Sequence, residues 1–239
     1  MMRVFSGNVE GDGGKGRRDL HIGFVEMLFA LAVAEIATTG HAAYSSPPIE
    51  NVDDVKAFVP QLAHLLLCLV IVGASWFSWG STKYRARNVS AVSTLGFLEF
   101  VTDALIVLSY FILIKEVDAR DQPSARPEAW LLLGIFALYL VWDIITCLQS
   151  SETTWRTWMA ASFWAMGLVV GMLSLISWAR PQALTDYRGV LYFDGFAFAL
   201  IIWYRVRESP AGDWGDKSRT TVLLLLFAVM LVLALAMLL

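Results

Sequence analysis

The sequence predicts an all-α fold, a polytopic bundle of about seven helices that cross a membrane. Of the 239 residues, 57% are hydrophobic and only 16% are charged, whereas soluble domains carry about 25% charged residues. The charged residues are concentrated between long apolar segments. Most of these segments approach the roughly 20 residues that a helix needs to cross the hydrocarbon core. No soluble domain of useful size remains outside them.

Seven apolar segments can be identified along the chain. Six of them reach the lower bound of about 17 residues for a membrane-crossing helix. The sixth in chain order is shorter and contains Asp194, so we expect six full spans and one short or re-entrant segment. The segments are 22–38, 58–77, 92–114, 129–148, 158–178, 190–204 and 221–239.

Lys and Arg are distributed unequally between the two sets of alternating loops. Of 18 such residues, twelve lie in the N-terminal tail and the loops on its side, and six lie on the other side. Because basic residues accumulate in cytoplasmic loops, we expect the N-terminus inside and the C-terminus outside, in the plasma membrane or a bacterial inner membrane. The polar, glycine-rich residues 1–21 are expected to form a flexible cytoplasmic tail. Residues 22–239 then form the transmembrane domain.

Six acidic residues interrupt the apolar segments. A charge at the bilayer centre costs about 3 kcal/mol on insertion scales, so such residues usually face a bundle interior or a water-filled path. Two of them, Glu35 and Asp143, lie nearer the ends of their segments, where a carboxylate can instead reach water. The six residues are Glu26, Glu35, Glu99, Asp103, Asp143 and Asp194.

Glu99 and Asp103 form a pair of particular interest. They are four residues apart, so they project from one face of a helix. Two carboxylates on one face in a low-dielectric setting repel each other, and the pair therefore either shares a proton or attracts a cation. We predict that Glu99 and Asp103 lie on an ion pathway together with Glu26. Asp194 is predicted to mark a second acidic site.

Several classes of function are disfavoured. No Lys lies within an apolar segment, which excludes a retinal Schiff base, and no phosphate-binding, dinucleotide-binding or serine-nucleophile motif occurs. His64 is the only His inside an apolar segment, so we expect no metal site built on histidine. Cys68 and Cys147 are expected to be buried hydrophobic residues. We expect no enzyme activity, no cofactor and no nucleic-acid partner.

The first segment resembles the opening helix of two membrane families. Residues 24–36 read FVEMLFALAVAEI; they resemble the first helix of the endosomal, lysosomal and bacterial potassium-channel family with an F-S-D signature, and that of the low-temperature-requirement A family. Residues 76–79, WFSW, resemble the aromatic end of the second helix in both. The resemblance covers a minor part of the chain. Glu26 replaces the signature Asp, Val25 replaces Ser, and Leu20 stands where the families have Arg.

The resemblance implies an oligomeric cation channel, with potassium among the monovalent cations that it would conduct. The first helix would line the pore, and the resemblance points to Phe29, Ala30 and Val33 as an apolar constriction beyond Glu26. Glu26 and Glu35 are nine residues apart and point to opposite faces of this helix. Hiding both faces from lipid requires contacts all round the helix, which favours a homo-oligomer within the bilayer.

A cation-permeable channel is therefore the leading interpretation of the sequence, and two alternatives stay open. One is a membrane-embedded effector or signalling partner without transport, in line with the small amount of chain outside the bilayer. The other is a proton-coupled transporter of a small solute, in which the acidic residues couple protons to the substrate.

Overall fold

The computed structural model describes residues 12–45, 52–83, 94–116, 124–149, 155–208 and 216–238. Within these ranges the chain forms seven α-helices and one short 3₁₀ helix, Pro181–Leu184, and no strand. All seven α-helices are long and apolar enough to cross a membrane, which confirms the predicted fold class. They are α1 (Asp12–Ser45), α2 (Val52–Lys83), α3 (Thr94–Lys115), α4 (Ala125–Gln149), α5 (Trp155–Ala179), α6 (Tyr187–Glu208) and α7 (Asp216–Leu238).

The sixth helix is a full span and not a short or re-entrant segment. Its apolar stretch covers Tyr187–Arg207, 21 residues, so it begins before and ends after the predicted range 190–204. Tyr187, Arg205 and Arg207 extend it because aromatic and Arg side chains place their polar groups at the interface or against other polar groups while their stems pack on apolar surface. A segment defined by hydropathy alone ends before it reaches these residues.

The helix α6 also forms the centre of the bundle. Of its apolar stretch, 67% is buried, against 22% for α1 and 11% for α7. It packs against α2, α5 and α7, while α4 packs between α3 and α5, and α1 lies against α2 and α3. Asp194 on α6 is therefore surrounded by protein and not by lipid, which is the setting in which intramembrane charges are tolerated.

A tight turn sets the position of α6 along the membrane. The 3₁₀ helix Pro181–Leu184 follows α5, and the Val190 N–H donates to the Asp186 carbonyl at 3.0 Å. Gly189 lies so close to this turn that an added Cβ would come 1.6 Å from the Ala183 carbonyl oxygen. A side chain at residue 189 would displace either the turn or the start of α6.

The first helix is longer than the sequence predicts. It begins at Asp12, inside the segment assigned to the flexible tail, and its apolar stretch runs over Gly23–Ser45 instead of 22–38. Ten residues before the end of α1, Glu35 pairs with Lys115, the last residue of α3, with 2.5 Å between Oε1 and Nζ. This ion pair is partly exposed, which agrees with the interface position that the sequence left open for Glu35. The rest of the predicted tail, residues 1–11, lies outside the described residues.

Candidate functional site

Two clusters of polar side chains lie inside the bundle. The His64 cluster consists of His64, Glu128 and Asp194, and lies toward the N-terminal ends of α2, α4 and α6. The Arg205 cluster consists of Ser75, Tyr110, Tyr139 and Arg205, joined at its edge by Asp103, Asp143, Ser162 and Tyr204, and lies toward the C-terminal ends of the same three helices.

The His64 cluster is almost completely closed off from solvent. The side chains of His64, Glu128 and Asp194 are 9%, 4% and 3% exposed. The His64 Nδ1 atom lies 3.4 Å from Asp194 Oδ1 and 3.6 Å from Glu128 Oε2. One ring nitrogen therefore faces two carboxylates at once.

The other ring nitrogen fixes how this histidine is oriented. His64 Nε2 donates to the Leu113 carbonyl oxygen at 2.8 Å. Leu113 is in the last turn of α3, where carbonyl groups have no N–H partner within the helix. Because a carbonyl only accepts, Nε2 carries a proton, and Nδ1 is the ring nitrogen that faces Glu128 and Asp194.

The two carboxylates are incompletely satisfied. Glu128 Oε1 and Asp194 Oδ2 are buried and have no hydrogen-bond partner among the residues that the structure describes. Within the same residues, neither carboxylate has a Lys or Arg within ion-pair distance. Glu128 lies in the first turn of α4, where the helix dipole favours a negative charge. Buried carboxylates without compensation cost several kcal/mol, so the cluster favours an added cation.

The Arg205 cluster is a hydrogen-bond network built around a guanidinium group. Arg205 donates from one terminal nitrogen to Ser75 Oγ at 2.8 Å and to Tyr139 Oη at 3.1 Å. The hydroxyl groups of Ser75, Tyr110 and Tyr139 form a triangle with sides of 2.5, 2.7 and 2.7 Å. The side chain of Arg205 reaches back into the membrane because helical side chains tilt toward the N-terminus of their helix.

Aromatic stacking completes the Arg205 cluster. The rings of Tyr139 and Tyr204 stack at 5.5 Å with an interplanar angle of 9°. The Arg205 guanidinium lies 5.1 Å from the Tyr139 ring and 5.3 Å from the Tyr204 ring, within the range of cation–π attraction. On the far side, Ser162 donates to Asp143 Oδ2 at 2.9 Å.

A cavity of about 50 Å³ adjoins the Arg205 cluster. A buried water needs at least about 10–15 Å³ measured in this way, so a few water molecules fit. Two carboxylates, one guanidinium and several aromatic rings face it. The lining residues are Val25, Phe29, Ser75, Trp79, Asp103, Ile106, Val107, Tyr110, Tyr139, Trp142, Asp143, Tyr204 and Arg205.

The two clusters repeat along the same three helices. His64 and Ser75, Glu128 and Tyr139, and Asp194 and Arg205 are each eleven residues apart. Eleven residues make close to three helical turns, so each pair lies on one helix face, about 16 Å apart along the axis. Both sets meet across the bundle, which shows that α2, α4 and α6 run in the same direction.

An apolar layer separates the two clusters. The residues between the two levels on α2, α4 and α6 include a set that is at most 2% exposed and belongs to one hydrophobic core. No continuous polar path joins the clusters through this part of the described bundle. The set is Ile71, Val72, Leu132, Ile135, Phe136, Ala197 and Ile201.

The structure brings together some of the residues that the sequence placed on an ion pathway, and separates others. Asp103 is buried and lines the cavity with Phe29, whereas Glu99, one turn away on α3, is half-buried. Glu26, Ala30 and Val33 are exposed on the surface of α1. The role of these residues in a pore stays a prediction.

Asp194 and Asp143 both lie in the interior. Asp194, predicted as a second acidic site, belongs to the His64 cluster. The sequence left two positions open for Asp143, the bundle interior and the membrane interface. Asp143 is 1% exposed, so it lies in the bundle interior.

Three residues of the clusters were missed by the sequence analysis. Glu128 immediately precedes the predicted segment 129–148. His64 is the only His inside an apolar segment and does not by itself predict a metal site, and Arg205 follows the predicted segment 190–204. The signal that could have revealed them is the repeated spacing of eleven residues between polar positions on the second, fourth and sixth segments.

Comparison of the chain with protein-family models, with curated proteins and with solved structures found no match. The seven apolar helices make the chain a multi-pass integral membrane protein in contact with the lipid bilayer. Any finer function has to be argued from the two clusters.

Proposed function

We propose that this protein is a cation transporter that works by alternating access. The observation that carries the proposal is the stacking of two buried polar clusters on the same faces of α2, α4 and α6, with an apolar layer between them. Acidic residues inside a membrane domain mark ion pathways, and transporters hold their cargo at such sites while one end is closed.

The charges of the two clusters support different roles. The His64 cluster places two carboxyl groups and an imidazole nitrogen around one point, with no Lys or Arg partner among the described residues, so a cation binds there by direct attraction. The cavity beside Arg205 has room for water and is lined by the carboxyl groups of Asp103 and Asp143. A cation that moves from the His64 cluster toward the Arg205 cluster has to pass the apolar layer.

The apolar layer argues for a transporter and against a pore that stays open through one chain. An ion in a permanently open pathway needs continuous water or polar ligands. Here the passage of an ion requires that α6, or the helices around it, move and rearrange the layer. α6 is held mainly by α2, α5 and α7, and by the tight turn at Gly189. Of these helices α7 is itself partly exposed, as is α1.

Ion flux into liposomes tests the proposal. Purified protein is reconstituted, and uptake is measured under gradients of K⁺, Na⁺, Mn²⁺ and Zn²⁺. We expect saturable uptake of at least one cation, and loss of that uptake in Asp194→Asn. Glu35→Gln, which removes an acid of α1 outside both clusters, is the matched control and should transport normally. The absence of uptake of every cation, or equal uptake by Asp194→Asn, would contradict the proposal.

A channel at a subunit interface is the second candidate, and one observation favours it. Glu26 lies within the apolar stretch of α1 and is exposed on the single chain. A second copy packed on this face of α1 would shield it from lipid, which agrees with the resemblance to the channel families. This candidate predicts a homo-oligomer with α1 near its axis. Native mass spectrometry in mild detergent decides it, since a strictly monomeric particle would remove the interface.

A further inference from the structure

We propose that the His64 cluster binds a divalent transition-metal ion of the Zn²⁺ or Mn²⁺ class through His64 Nδ1 and one oxygen each of Glu128 and Asp194. This inference names the cargo of the transport function proposed above and rests on it only for that role, because metal binding itself follows from the cluster.

The spacing of the three atoms fits a metal ion. Zn²⁺ holds nitrogen and carboxylate oxygen at about 2.0–2.2 Å, so two of its tetrahedral ligands lie roughly 3.4 Å apart. In the cluster, Nδ1 lies 3.4 Å from Asp194 Oδ1 and 3.6 Å from Glu128 Oε2. The three ligand atoms all lie within 4.8 Å of one another. A small shift of one carboxylate brings all three to bonding distance.

The surroundings of His64 also match those of a metal ligand. Histidines that bind metals almost always donate their second ring N–H to a carboxylate or a backbone carbonyl, which fixes the ring. His64 does this through Nε2 to the Leu113 carbonyl at 2.8 Å. The ring is therefore held in one orientation, with Nδ1 turned toward the two carboxylates.

Unpartnered carboxylate oxygens point to a cation as the missing partner. Ionised carboxylates without compensation are costly in a low-dielectric interior, and a divalent cation supplies both positive charge and direct bonds to them. The carboxylate oxygens Glu128 Oε1 and Asp194 Oδ2, which have no partner among the described residues, are the further acceptors that such an ion or its bound water would use.

The donor set points to the class of metal. An imidazole nitrogen with carboxylate oxygens suits first-row transition metals, while Ca²⁺ takes six to eight oxygens and Mg²⁺ keeps most of its waters. Three protein ligands also leave a coordination position open, unlike a closed four-ligand structural site. An open site is what a bound cargo needs, since an ion that is fully enclosed leaves slowly.

Metal titration of the full-length protein tests the inference. The protein is purified in detergent, stripped with a chelator and titrated with Zn²⁺ and with Co²⁺ by isothermal calorimetry, and the visible spectrum of the Co²⁺ complex is recorded. We expect one ion per chain and a Co²⁺ spectrum of low-symmetry nitrogen and oxygen coordination. Glu128→Gln, Asp194→Asn and His64→Gln should each weaken binding at least about tenfold, since changing even the partners of metal ligands has effects of this size.

Glu35→Gln serves as the matched control, because it removes a carboxylate of the same chain outside the cluster. Glu128→Gln and Asp194→Asn keep the size of the side chain, so they fold if the cluster is otherwise intact, and size-exclusion profiles check this. Absence of saturable binding by the wild type, or binding that all three cluster variants retain, overturns the inference. Specific binding without any flux would refute the transport function and leave the metal site standing.

Discussion

The His64 cluster and the Arg205 cluster occupy equivalent positions three turns apart on the same helices, yet their charged groups are of opposite type. The Arg205 cluster contains its own cation, and its hydroxyl groups bond one another in a closed triangle. The His64 cluster contains two carboxyl groups, a ring nitrogen turned toward them, and carboxyl oxygens without a hydrogen-bond partner among the described residues. The first cluster holds a cationic side chain of its own, and the second would be completed by an added cation.

The comparison shows how the hydrogen bonding of buried polar groups distinguishes a structural cluster from a binding cluster. A satisfied polar network fixes the relative rotation of helices and rigidifies a core. An unsatisfied one costs stability in the free protein, and binding recovers that cost. The same three helices therefore support an anchoring level and a binding level, and substitutions at the two levels should have opposite consequences for stability.

The largest effect is expected where both clusters are disturbed together. Gly189→Ala places a Cβ 1.6 Å from the Ala183 carbonyl oxygen and forces α6, which carries Asp194 and Arg205, to shift. We expect a loss of about 3 kcal/mol in the free energy of unfolding, the upper end for overpacking. Gly134→Ala is the control, because nothing lies within 4 Å of its Cβ. Equal thermal stability of the two variants would show that the turn does not hold α6.

Removal of the resident cation should come next. Arg205→Ala deletes the donor to Ser75 and Tyr139 and the stacking on two tyrosine rings. Hydrogen bonds from a charged group are worth about 1.5–3 kcal/mol, so we expect destabilisation on the order of 2 kcal/mol. Intrinsic tryptophan fluorescence during thermal unfolding measures it. Arg188→Ala, on the exposed start of the same helix, should change stability little; an Arg205 variant as stable as this one would show that the network is not an anchor.

Charge removal in the His64 cluster should have the opposite sign. The double variant Glu128→Gln with Asp194→Asn replaces two buried ionisable groups by neutral amides, and we expect the metal-free protein to gain on the order of 1 kcal/mol. Zn²⁺ at one hundred times its dissociation constant should stabilise the wild type by about 2.7 kcal/mol and the double variant not at all. Thermal unfolding with and without Zn²⁺ gives both values. A double variant that is much less stable without metal would mean that the carboxylates are structural.

The smallest effect is expected at the ion pair of the membrane surface. Glu35→Gln breaks the contact with Lys115, whose side chain is 58% exposed. Exposed pairs contribute about 0–1 kcal/mol and are screened by salt. The change in unfolding temperature should therefore be small and should vanish at high salt. A loss as large as that of Arg205→Ala would place Glu35 among the residues that hold the bundle together.

The fold could be predicted from the sequence because bilayer thickness fixes the length of an apolar segment. The sequence predicts six segments as full spans and only the segment of α6 as too short. The reason is that the charged residues Arg205 and Arg207 end the apolar segment, although the helix continues through them. The orientation of the termini, the resemblance to channel families and the homo-oligomer stay predictions.

The candidate site could be predicted only in part. Asp194 was singled out because an acid inside an apolar segment is costly wherever it lies. His64 and Glu128 could not be joined to it, because their meeting depends on the relative rotation and depth of α2, α4 and α6, which pairwise spacing within one helix does not determine. Arg205 was missed for a related reason. The side chain of an Arg near the end of a helix turns inward only where neighbouring helices place hydroxyl groups that can accept its hydrogen bonds.

Transport of metal by reconstituted protein tests the central claim most directly, namely that the His64 cluster binds the cation that the protein moves. Initial rates of Zn²⁺ uptake into liposomes are measured over a range of concentrations for the wild type, for Glu128→Gln and for Glu35→Gln, at equal protein density. The account predicts saturable uptake by the wild type and by Glu35→Gln, and a rate at least about tenfold lower for Glu128→Gln at low Zn²⁺. Uptake by Glu128→Gln at the wild-type rate would contradict it.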